Sequence, residues 1–150
     1  MIATTVAYDI VLLVHILTAV GVLVVFVVMR NAAKSVATGA SSEVQKARFP
    51  ERRNWAARLM HVLPVTGLIM SLTGDSSVSL TRPWIGVGLL CYLLAAGHLE
   101  ARTLPLERVV SEVIQHDGVA APERGRKLVG SMDTLLALVA VAFIAMLVQF

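Results

Sequence analysis

The chain has 150 residues, 57% hydrophobic and 15% charged, with a formal net charge of +3. Soluble domains carry about 25% charged residues, so this deficit and a mean hydropathy of +0.77 exclude an ordinary soluble domain. The single cysteine, Cys91, excludes an intrachain disulfide, and the pI near 9.5 does not signal nucleic acid, because the basic residues lack interleaved aromatics and follow a membrane pattern instead.

The first apolar block covers residues 6–29 and is broken only by Asp9, His15 and small residues. A bilayer core takes about 20 apolar residues of helix, so this block spans unaided. It lacks a basic start, exceeds the apolar core of a leader and runs straight into Arg30, which reads as a retained span rather than a cleaved signal. Residues 31–49, NAAKSVATGASSEVQKARF, mix small and charged types. They predict a mobile connection in which Ser41 or Ser42 caps a short helix.

Pro50 suits a helical first turn, so the second helix is expected to begin near residues 50–51, with Trp55 at the interface and a span over about 54–74. Pro64 lies inside it, removes one backbone bond and predicts a kink. DSSVSLTRP is a short polar loop, after which Pro83 and Trp84 open a third span over about 84–102. Beyond Pro105, the residues Leu106, Val109, Val110, Val113 and Ile114 fall on one helical stripe, with Glu107, Arg108, Glu112 and Gln115 facing away. This predicts an amphipathic helix stopped at Gly118, either lying in the membrane interface or docked on a partner. The fourth span covers about 129–150. The expected fold is all-α: one membrane domain over 1–150, a four-transmembrane-helix bundle with a cytoplasmic amphipathic helix between spans three and four.

Charge placement sets the orientation. Arg30, Lys34, Lys46, Arg48, Arg52, Arg53 and Arg58 lie between the first two blocks, and Arg102, Arg108, Arg124, Arg126 and Lys127 between the last two. Only Arg82 lies elsewhere, so twelve of the thirteen basic residues share one face. The positive-inside rule makes that face cytoplasmic and puts both termini outside. The bilayer is the first partner, with anionic lipid beside the basic loops; nucleic acid is not expected.

Ionisable groups inside a membrane are costly and face the bundle, pair or mark a site. The candidates are Asp9, His15, Arg58, His61, His98, Glu100 and Asp133. From a rise of 1.5 Å per residue, His15 lies about 22 Å from the cytoplasmic face, His61 about 10 Å and His98 about 3–6 Å. His61 and His98 thus fall in the same half of antiparallel helices. Either they are tied into structural hydrogen bonds, or they ligate a haem iron axially, or they relay protons. In the haem reading His15 is a substitute ligand or proton group, while Arg58 and Arg102 stand near the cytoplasmic boundary to meet the porphyrin carboxylates. Asp133 is expected to pair with Arg58 or His61, Arg58 to snorkel and His116 to be solvated. Gly67, Ser71 and Gly74, with Gly86, Gly88, Ala95, Ala96 and Gly97, thin the second and third helices for close approach or oligomerisation.

A histidine early in the first helix, the run ERRNWAARLMH, a glycine-bearing second helix and WIGVGLLCYLLAAGHLEAR together resemble small bacterial four-helix integral membrane proteins of unknown function. More distantly, the layout is similar to the haem-containing membrane protoporphyrinogen oxidases. That resemblance implies a four-helix bundle in the bacterial inner membrane and haem b as a cofactor to test. His15 matches the family's first-helix histidine, and Val87 and Gly88 stand where its third-helix lysine is sought. The sequence holds no nucleotide-binding glycine loop, paired-cysteine metal motif or recognisable Ser/His/Asp set. Two functions follow: a non-catalytic accessory subunit or scaffold of a larger membrane complex or homo-oligomer, and a b-type haem or redox-linked membrane protein with His61 and His98 as axial ligands.

Overall fold

The computed structural model describes residues 2–50, 54, 56–74 and 80–149. Its elements are α1 (Ile2–Ala37), α2 (Ser42–Arg48), a 3₁₀ lead-in (Ala56–His61) running into α3 (Val62–Thr73), α4 (Pro83–His98), a π turn (Leu99–Thr103), α5 (Leu104–Asp117) and α6 (Pro122–Val148). No strand occurs among the described residues. Four stretches are long and apolar enough to cross a membrane: Val6–Ala37, Ala56–Thr73, Pro83–Asp117 and Pro122–Val148. The chain is an all-helical, multi-pass membrane protein.

The helices pack in the order α3, α1, α6, α4. The antiparallel pair α1 and α6 forms the central seam; α3 leans on α1 and α4 on α6, while α3 and α4 share no packed seam of their own. All four meet in one core, built on Val22, Phe26, Met29, Met60, Ala95, Leu99, Met132 and Leu135. The last turns of α1, the starts of the 3₁₀ lead-in and of α6, and the end of α5 lie at one end of the bundle, the long-loop end; the start of α1, the ends of α3 and α6 and the start of α4 lie at the other.

With 36 residues, α1 is about 54 Å long at 1.5 Å per residue, well beyond a hydrocarbon core of about 30 Å. Its last turns project at the long-loop end and build a second core, where Ala33 and Val36 meet Phe49, Val110, Ile114, Ala120 and Leu128. This core holds what the sequence left mobile. Gln45 of α2 is buried; its Nε2 donates to the Ala40 carbonyl at 3.0 Å and its Oε1 accepts from the Ala120 N–H at 3.0 Å. Gln115 Nε2 donates to the Phe49 carbonyl at 2.7 Å. The 31–49 segment is therefore helical and fastened, because a buried amide supplies the bonds that its loop backbone cannot make for itself.

Val110 and Ile114 of α5 are fully buried against the end of α1, whereas Val109 of the same expected stripe is exposed and Glu107 and Gln115, expected to face away, bond to Asn54 and the Phe49 carbonyl. Gly39, at φ +69°, ends α1 with the Gly39 N–H bonded to the Val36 carbonyl and the Ala40 N–H to Ser35, a Schellman motif. Gly118, at φ +85°, ends α5. Gly125 acts through its size instead. A Cβ there would stand 2.3 Å from the Ala37 nitrogen, so only glycine lets α6 cross α1 this closely.

The expected start of the second helix and the role of Trp55 involve residues 51–53 and 55, which lie outside the described residues. The 3₁₀ lead-in turns into α3 just before Pro64, which has no N–H to offer the Met60 carbonyl. Asn54 starts the lead-in: its Oδ1 accepts from the Ala57 N–H at 3.3 Å and its Nδ2 donates to Glu107 of α5 at 3.1 Å.

Candidate functional site: polar ties within the bundle

The expected site residues divide among four separate ties. The largest bridges α3 and α4. Arg58 Nε and Nη2 donate to the two carboxylate oxygens of Glu100 at 2.7 and 2.8 Å, a bidentate geometry that fixes both side chains. His61 Nε2 lies 3.5 Å from Glu100 Oε1 and its Nδ1 lies 3.0 Å from the Tyr92 hydroxyl. A carboxylate only accepts, so Nε2 carries a proton toward Glu100, while Nδ1 lies within bonding distance of the Tyr92 hydroxyl. The two rings meet edge to face, 6.1 Å between centroids. The side chains of Arg58, His61 and Glu100 are 28%, 37% and 40% exposed, and the cluster lies where α3 and α4 lack a seam.

The π turn builds the second tie. It adds a residue to the turn after His98 and carries Thr103 toward α6. His98 Nε2 lies 2.9 Å from Ser131 Oγ, and Thr103 Oγ1 lies 2.7 Å from the same oxygen and 3.4 Å from the His98 carbonyl. Thr103 donates to that carbonyl, Ser131 donates to Thr103, and His98 Nε2–H donates to Ser131.

The third tie joins α1 to α3. Thr66 donates to the Val62 and Leu63 carbonyls at 3.1 and 3.0 Å, so its oxygen accepts the His15 Nδ1–H at 2.7 Å. Gly67 makes room for the ring, with His15 Cε1 3.7 Å from where a Cβ would stand. The fourth tie is an ion pair between Arg30 and Asp133 across the α1/α6 seam.

The structure thus corrects several expected partnerships. Asp133 pairs with Arg30 and not with Arg58 or His61. Arg58 grips Glu100. His61 meets Tyr92 and Glu100, whereas His98 turns to α6. His61 and His98 therefore belong to different ties: both His61 nitrogens are within bonding reach of Tyr92 and Glu100, and His98 Nε2 is within reach of Ser131. His15 lies apart from both, on α1 against α3. Arg102 is exposed in the π turn, and His116 is exposed in the last turn of α5. No group of three or more His, Cys, Asp or Glu suited to a metal occurs among the described residues.

Reading the sequence missed Tyr92, Thr66, Thr103 and Ser131 as partners. Each is a polar residue in a span or at its edge, and that is the signal that marks them: a lone hydroxyl inside a membrane needs a bond from the same bundle.

No protein-family model, curated protein or solved structure matches the chain. Its function is therefore read from these ties.

Proposed function

We propose that this chain is a non-catalytic accessory subunit of a larger membrane complex, docking through its α3/α4 face. The bacterial inner membrane is its setting, with the long-loop end in the cytoplasm and both termini outside, as the charge asymmetry requires.

The observation that carries this reading is the Arg58–Glu100–His61–Tyr92 cluster. It is partly exposed on the side of the bundle, between two helices that do not pack on one another. Hydrocarbon cannot hydrogen-bond to such groups, and exposed ionised side chains at membrane depth are costly. Within the cluster the Arg58 guanidinium is already set against the Glu100 carboxylate. The cluster therefore suits the polar side chains of a neighbouring membrane helix better than a charged solute. The fastened cap at the long-loop end supports the same reading, since it holds the bases of α1 and α6 in one rigid unit.

Purification from the native membrane in mild detergent tests the proposal. The expected result is a partner retained in stoichiometric amount, and lost from a Tyr92→Phe, Glu100→Gln double variant that still elutes as a folded monomer. A chain that purifies alone overturns it. The absorption spectrum of the same sample, after growth with ample haem, separates the haem reading: no Soret band is expected. A band abolished by His61→Ala or His98→Ala assigns the protein to the other class.

A further inference from the structure

The opposite face of the bundle, the outer side of the α1/α6 seam, carries a different arrangement. Gly125 lies against Val36 and Ala37, and Arg30 reaches Asp133, which fixes the antiparallel register. Lys34 lies one turn beyond Arg30 on α1. Arg126 lies two turns before Asp133 on α6, on the same stripe as Gly130. Lys34 and Arg126 are exposed. This face therefore carries Arg30, Lys34 and Arg126 against Asp133, with Glu123 one turn before Arg126 already ion-paired to Lys127, so its net charge is positive. A side chain at Gly130 would meet no atom within 4 Å, so the surface is open between the cations.

We propose that this notch binds the headgroup of an anionic phospholipid. Lys34 and Arg126 contact the phosphate, and Arg30, oriented by Asp133, closes the notch on the bilayer side. Three features choose a lipid. The net charge complements phosphate, whereas Arg58 of the α3/α4 cluster is already set against Glu100. The level is right, because Arg30 ends the apolar run of α1 and Lys34 begins its projecting part. Above the cations the same stripes are apolar and exposed, with Leu23 and Val27 on α1 and Ala137 and Val141 on α6, a bed for acyl chains. Basic pockets between transmembrane helices at this level bind acidic headgroups elsewhere. The inference stands on a face separate from the docking face and does not depend on the accessory-subunit reading.

Native mass spectrometry of the full chain released from detergent measures the binding, with phosphatidylglycerol, phosphatidylcholine or inorganic phosphate added in turn. Phosphatidylglycerol is expected to bind and to be preferred over phosphatidylcholine, with inorganic phosphate failing to displace it. Each of Lys34→Gln and Arg126→Gln should weaken binding about fivefold. Arg108→Gln, which removes the same charge from α5, should leave it unchanged. Gly130→Trp fills the notch without removing a charge and should abolish the preference. Equal binding of the two lipids overturns the proposal. So does displacement by inorganic phosphate, an equal loss in Arg108→Gln, or full binding by the Gly130→Trp protein.

Discussion

Two ion pairs sit at similar depth near the long-loop end, and they do different work. Arg30–Asp133 lies across α1 and α6, which are already packed along the central seam. Arg58–Glu100 joins the 3₁₀ lead-in of α3 to the π turn after α4, and these segments share no comparable seam. The first pair decorates a contact that apolar packing and Gly125 have made. The second, with His61 and Tyr92, replaces a contact that packing does not make. On the proposed reading, the same chemistry marks a lipid-facing surface in one place and a docking face in the other.

The comparison breaks most severely at the seam itself. Gly125→Leu drives a side chain into the α1 backbone, 2.3 Å from the Ala37 nitrogen at its Cβ. It should lower stability by more than about 3 kcal/mol, seen as loss of monodisperse protein in detergent. Next comes the cap: Gln45→Leu strands the buried Ala120 N–H. It should cost about 2 kcal/mol and open the 38–50 segment to protease. On the α3/α4 side, Tyr92→Phe removes one neutral hydrogen bond and should cost about 1 kcal/mol. Its larger signature is a wider spread of α3–α4 distances between paired spin labels. Thr66→Val removes the acceptor of His15 and should cost about 0.6 kcal/mol, the average for hydrogen bonds between membrane helices. Asp133→Asn should leave the thermal midpoint unchanged, because the α1/α6 seam holds without it. A clear drop there would put the two ion pairs in the same role.

What the sequence revealed follows from periodicity and charge. The all-helical character, the four membrane-crossing stretches and the stop at Gly118 are local properties of hydropathy, glycine and proline, and each was legible. Part of the apolar stripe of α5 was legible too, but not what it covers. Val110 and Ile114 read the same whether they meet lipid, a partner or Val36. Residues 31–49 read as mobile because their composition is polar; the buried Gln45 that fastens them gives no periodic signal. The site was legible as a set of intramembrane polar residues and illegible as pairs. His61 and His98 fall in the same half of the membrane, yet depth does not give rotation about the helix axis, and rotation sends one to Tyr92 and the other to Ser131. The helix order α3, α1, α6, α4 decides this, and no single-helix pattern encodes it.

The most direct test places a photoreactive residue on each face in native membranes. At Val65 or Leu89, on the stripes of His61 and Tyr92, it should capture one protein of defined mass. At Val27 or Ala137, on the stripes of Arg30 and Asp133, it should capture lipid and no protein. Absence of a protein adduct at Val65 and Leu89, or the same adduct from both faces, would contradict the assignment of α3/α4 as the docking side.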